Sequence, residues 1–426
     1  MMLNRPNRIQ DDRISSLRRW RPSHVVFAAP HRLFFLIGAL QLILSILFWL
    51  IVLTGLYLPA VSIVPLSVNA TSAHLFLMLY GLFTFFVFGF LTTVFPRWLA
   101  TAAIDRRRYI VIAALLTTGI AGYYLGLFTH RDVALAGNLI FVGGWVLGLW
   151  TLAGVWRQSS RPNRLFALFP LGCVSMGCVG AVVHAFWLWT SRPELLVVAG
   201  AIGLWLYLVP LITAISYRMI PFFSAGALAD YVVVKPGWTL PATLACVLGH
   251  CLLTILHQGE WLFVSDLPLA VIAGWHSYRW GLRRSLRVPL LAMLHISFGW
   301  LSVAMGLYAI QSLLQWTGAG FDLGLAPLHA LGIGFVTGML VAMASRVSLG
   351  HSGQPLIADR VTLWAFVLVQ LTAVVRVLAE LPLPGHGYGY LVLILGAAVL
   401  WLAAFIPWGL RFGAIYLRRR EDGAPG

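Results

Sequence analysis

The sequence has 426 residues, of which 60% are hydrophobic and only 10% charged, and its mean hydropathy is +0.88. An ordinary soluble domain carries about 25% charged residues, so a soluble enzyme is excluded. The net charge of +16 would point to nucleic acid on a soluble protein; in a chain this apolar it is a topology signal. A lipid bilayer is the expected partner and nucleic acid is not.

A hydrocarbon layer of about 30 Å takes about 20 apolar residues to cross as a helix. Residues 1–32 read as an Arg-studded cytoplasmic tail with no cleavable signal peptide. Apolar runs follow at about 33–58, 71–96, 109–129, 134–156, 165–190, 194–217, 238–257, 261–281, 288–315, 325–345, 361–379 and 388–410. The expected fold is all-α and integral to the membrane: twelve transmembrane helices within 33–417, then a cytoplasmic tail at 418–426. Helix is required because a lipid-exposed backbone must satisfy its own hydrogen bonds, and strand-like alternation is absent. Alternate connections hold 26 of the 29 basic residues, leaving only Arg131, Arg192 and Arg376 for the other side. By the positive-inside rule both termini are cytoplasmic.

Intramembrane ionisable groups are costly and point to function. The carboxylates fall in tails, loops or span ends, with Asp266 only a few residues inside span eight. That weighs against a proton- or sodium-coupled transporter. Histidine differs: His74, His184, His250, His257, His276, His295 and His329 all fall within expected spans. Neutral imidazole is the least costly titratable group to bury and the commonest metal and haem ligand. A single buried His is more often a structural hydrogen-bonder, whereas seven shift the balance toward redox cofactors.

Depth divides them. His74 and His329 open inward-running spans, and His184 and His257 end outward-running ones, with His250 somewhat deeper. His276 and His295 share an inner depth on adjacent antiparallel spans, and His351 lies in the inner loop. His250 and His257 lie on one face but about 10.5 Å apart along the axis, too far for one metal ion. His74 opposite His329 suits a haem; His276 with His295 suits a metal or a second haem. Gly81, Gly89, Phe83, Phe85, Phe86 and Phe88 in span two, and Gly332, Gly334, Gly338, Met339 and Met343 in span ten, suit a flat macrocycle. They equally suit ordinary close helix packing. The Cys173-x4-Cys178-x5-His184 pattern recurs at Cys246, Cys251 and His257, but no six-helix repeat extends it. No CxxCH or disulfide framework is present.

Two stretches are more specific: Pro327-Leu-His329-Ala-Leu-Gly332 leading to Arg346-Val-Ser-Leu-Gly-His351-Ser-Gly-Gln-Pro355, and Tyr217-Arg218-Met-Ile-Pro221-Phe-Phe-Ser224. Together with Pro289-Leu-Leu-Ala-Met-Leu-His295 and Arg161-Pro-Asn163-Arg164, they resemble the NnrS family of bacterial twelve-helix inner-membrane proteins. The resemblance spans essentially the whole chain. It implies haem and copper binding, nitric oxide as the small ligand, and a role in relieving nitrosative stress and in denitrification. His74, His184, His276, His295, His329 and His351 look like the family's recurring histidines; His250 and His257 do not. Where the family shows His-x-His and an acid in span two, this chain has Ser72-Ala73-His74-Leu75. If the absent His is a ligand elsewhere, one metal fewer is held here.

The expectation is therefore a haem-containing protein of the bacterial inner membrane, with b-type haem at His74 and His329 and copper as an additional candidate. His276, His295 and His351 form the expected inner metal site, with His184 an outer accessory. Arg218 and Arg346 either bind haem propionates or another anion, or simply anchor the topology. Turnover as a nitric oxide reductase would need a quinol or cytochrome electron donor and a proton path, and no carboxylate path is evident, so a binding or scavenging protein stands beside an enzyme. The rivals are a transporter of metal, haem or small solute with histidines on its cargo path, and an assembly factor for another oxidoreductase.

Overall fold

The computed structural model describes residues 25–57, 65–381 and 386–420. They form α1 (Pro30–Tyr57), α2 (Ala70–Leu99), α3 (Arg106–Phe128), α4 (Arg131–Gln158), α5 (Leu165–Thr190), α6 (Pro193–Ala227), α7 (Thr239–Ile255), α8 (Phe263–Arg279), α9 (Pro289–Trp316), α10 (Ala326–Ser352), α11 (Arg360–Ala379) and α12 (His386–Leu417). No strand occurs among the described residues. Among the described residues, ten helices are long and apolar enough to cross a bilayer. α7 and α8 have 17 residues each, short of the roughly 20 a perpendicular crossing takes.

The helices begin where short polar side chains or proline can serve the free backbone N–H groups. Asn69 accepts from Ser72 N at the start of α2, Asp105 from Arg107 N at α3, and Asp359 from Thr362 N at α11. Proline opens α6 and α9, where its missing N–H costs nothing. α1 begins at Pro30, so His31 and Arg32 belong to the first helix rather than to a tail.

Small residues set the closest approaches, as expected where lipid gives no hydrophobic drive between helices. α3 and α4 meet so closely that a Cβ at Gly119, Gly126 or Gly137 would strike the partner's backbone. First and last helices close on each other: Trp401 Nε1 donates to Leu42 O at 2.8 Å, and Arg32 donates to Arg418 O at 2.6 Å. The Arg32 cation thus serves free carbonyls at the C-terminal end of α12. At this Arg-rich end His31 packs on His351, Arg218 lies over Trp98 and Phe166, and Arg411 pairs with Asp359.

Three helices carry a wide, π-type stretch: Leu77–Leu82 in α2, Ile202–Leu208 in α6 and Ala330–Thr337 in α10. Such stretches break the regular ladder and are frequent at functional sites.

Candidate functional site

At the far end of the bundle, His74 and His329 each stand just ahead of one of these stretches. The His74 ring stacks on Trp49 of α1, centroids 4.2 Å apart and planes 19° from parallel. Its Nδ1 is buried without a partner. His329 Nδ1 lies 2.9 Å from Leu325 O, and Arg376 Nη2 lies 3.2 Å from its Nε2. A carbonyl only accepts, so Nδ1 carries the proton and Nε2 is the ring's acceptor, with Arg376 Nη2 almost equally near both, at 3.3 and 3.2 Å. Arg376 also reaches Glu380 Oε1 at 2.7 Å, while its Nη1 is buried and unpartnered. Glu380 Oε2 in turn accepts from Leu325 N at 3.3 Å. Arg376 contacts His329 directly and lies within electrostatic reach of His74 as well.

His184 is fully buried on another flank of α2. It stacks on Phe76 at 4.4 Å and meets Trp187 at 5.0 Å. Tyr123 Oη lies 3.1 Å from its Nε2, and its Nδ1 has no partner.

Toward the Arg-rich end, His276 is enclosed by Tyr217, Trp280 and Trp275, and both its ring nitrogens are buried without hydrogen bonds. His295 Nε2 lies 3.0 Å from Ser224 Oγ. Tyr217 and Ser224 are two turns apart on α6, about 10.5 Å along its axis. His276 and His295 thus meet different turns of that helix. His351 packs instead on His31, centroids 4.5 Å apart. Among the described residues no three His, Cys, Asp or Glu side chains gather into a metal-holding group, so the three-histidine set of His276, His295 and His351 is not assembled.

His31 is the partner that sequence reading missed, because it sat within the presumed tail. Pro30 followed by an unbroken apolar run is the signal that could have placed it in a helix. One turn on, Phe35 edges His31 at 6.2 Å and lines an apolar cavity. α1, α2, α6 and α10 wall this cavity, and Phe83, Phe86, Met339 and Met343 all face it. Val347, one turn before His351, lines it as well. Phe85 and Phe88, grouped with them in sequence, are absent from its lining; Phe88 packs on Trp145.

Arg346 lies over the Phe223 ring at 3.8 Å, and Arg218 over Trp98 at 4.8 Å. Neither forms an ion pair among the described residues, so each presents a cation steadied by an aromatic face.

Two expectations need correction. Asp266 is not a marginal span-end acid: it is 0% exposed and lies 2.6 Å from His250 Nδ1. His257 is not inside a helix but exposed beyond the end of α7, at φ +56°. The four cysteines are free, and their repeated spacing builds no shared site.

A family model described as "NnrS protein" matches residues 25–420. The chain belongs to the NnrS family. No curated protein matches it. The family match takes in every histidine discussed above, from His31 of α1 to His351 of α10, so the buried imidazoles are features of the NnrS portion and not of an appended segment.

Proposed function

We propose that this NnrS-family protein is a haem-binding protein of the bacterial inner membrane that binds nitric oxide as part of the response to nitrosative stress. Twelve spans with both termini cytoplasmic fit the placement of 26 of 29 basic residues on one set of connections. On this reading α7 and α8 span a locally thinned bilayer, which their 17 residues permit at modest cost.

The observation that carries the haem assignment is the far-end pair. His74 offers a buried, unpartnered nitrogen, and His329 has its Nδ1–H fixed by Leu325 O so that Nε2 is the acceptor, held beside Arg376 Nη2. Metal-binding imidazoles are commonly oriented in this way, through a hydrogen bond from the other ring nitrogen to a carbonyl. Arg376 Nη1, buried and unpartnered, is available to a propionate, and Trp49 supplies a flat apolar wall. A bound haem would supply an iron able to take nitric oxide, with His74 and His329 as the residues that would hold it. For copper, no three-ligand group is gathered among the described residues; His276, with both ring nitrogens buried and free, is the single donor this reading offers it. Nitric oxide is small and uncharged, so the apolar interior does not oppose its entry.

The optical spectrum of protein purified in detergent tests this reading. It predicts a stoichiometric Soret band that shifts when nitric oxide is added to the reduced sample. A colourless, folded preparation that stays colourless after haem supplementation contradicts it.

A further inference from the structure

The His250–Asp266 pair stands apart from the sites above. His250 on α7 and Asp266 on α8 are 2% and 0% exposed, with Nδ1 and Oδ1 2.6 Å apart. Trp205 of α6 covers the imidazole, centroids 3.6 Å apart, and Tyr308 of α9 meets it edge-on at 4.8 Å. Trp205 sits in the wide stretch Ile202–Leu208. The other two wide stretches follow His74 and His329 on their own helices. Asp266 Oδ2 is buried with no partner.

Charge accounting gives the pair its chemistry. An imidazolium beside a carboxylate, or a neutral imidazole beside a carboxylic acid, is neutral overall. Each holds one proton more than a neutral imidazole beside a carboxylate. Losing that proton leaves a bare negative charge in surroundings where unpaired charge costs several kcal/mol. The titratable groups nearby supply no cation: Cys246 one turn before His250 on α7, Cys251 beside it, and Tyr308 on α9. The short contact is a charge-assisted or proton-sharing hydrogen bond. The unpartnered Oδ2 is the acceptor still open to a proton.

We infer that His250 and Asp266 together form an intramembrane proton-binding site, which takes up and releases one proton as a unit. The site lies five residues from the end of α7 and three from the start of α8, next to the connection between them, so the path to water is short. It gives the bundle an acid–base group that the distribution of carboxylates along the chain had seemed to deny it. The inference does not depend on haem or nitric oxide binding, and it stands or falls separately.

Infrared difference spectroscopy of the full-length protein in lipid nanodiscs, between acidic and alkaline samples, tests it in H2O and D2O. The pair should give one pH-dependent transition, in the carboxyl stretch or the imidazolium bands, that is sensitive to deuterium. Asp266→Asn should abolish that transition. His250→Gln should move its midpoint by more than one pH unit, a tenfold change in proton affinity, and Asp266→Glu should retain it. A purely structural hydrogen bond would not titrate. Difference spectra identical between the wild type and whichever variant folds would overturn the assignment.

Discussion

Arg376 Nη2 lies 3.2 Å from Nε2 of His329 and 2.7 Å from Glu380 Oε1, so one guanidinium nitrogen links a candidate ligand to a carboxylate. The arrangement holds a cation where an electrophile would meet the imidazole. It also ties the start of α10 to the end of α11, because Glu380 Oε2 accepts from Leu325 N.

Removing Arg376 should therefore have two separable effects. Arg376→Ala leaves Glu380, about one-tenth exposed, without its partner, and should cost roughly 2–4 kcal/mol. Thermal unfolding in detergent measures this. The double variant Arg376→Ala/Glu380→Gln should recover part of the loss, since no buried charge then lacks a partner. Equal Tm values for the single and double variants would show that the ion pair is not the source.

The α3–α4 interface should be intolerant of side chains. Gly137→Leu drives a side chain into the backbone of Gly122 and Tyr123, and should cost about 3 kcal/mol or prevent folding. Gly143→Ala, on the same helix with nothing within 4 Å of its new Cβ, should stay within about 0.5 kcal/mol of wild type. Comparable losses from both substitutions would mean that close packing is not what selects glycine there.

Acid should weaken the junction between α11 and α12. Asp359 accepts from Thr362 N at 2.8 Å and from Arg411 Nε at 2.7 Å. Partial burial acts to raise its pKa, but the Thr362 N–H and hydroxyl and the Arg411 guanidinium outweigh it and hold the carboxyl below its ordinary range. A group depressed in the folded state contributes stability above its unfolded pKa, and that contribution is lost as pH falls through the folded value. Asp359→Asn keeps a capping oxygen without the charge. It should lower Tm at neutral pH and flatten the decline below about pH 4. An unchanged acid limb in that variant would place the effect elsewhere.

Copper content should follow His276. His276→Ala removes the one candidate imidazole with two free nitrogens, and should lower bound copper to background while haem absorbance is retained. His295→Ala, which loses a hydrogen bond to Ser224, should change copper content little. Elemental analysis of matched preparations distinguishes the two; full copper in His276→Ala would remove that residue from the proposal.

The sequence made the helices legible because apolar runs of membrane length leave few alternatives. It located the start of α10 and of α2 to within a residue or two. α7 came out shorter than its apolar run because the backbone turns at His257, which no local pattern announced. The candidate histidines were legible by depth, since position along a helix axis follows from residue count. Direction around the axis was not. His351 therefore seemed to complete a set with His276 and His295, whereas its ring meets His31 of α1. Asp266 was misjudged for the same reason: nearness to a span end says nothing about which helices close over a side chain.

The proposal that His74 and His329 hold haem at one end of the bundle is decided by the haem stoichiometry and Soret spectrum of folded His74→Ala and His329→Ala proteins. Each variant should lose the haem or convert its spectrum, while His184→Ala, whose ring already has Tyr123 as a partner, should keep both. Full stoichiometry with wild-type spectra in both His74→Ala and His329→Ala would contradict it.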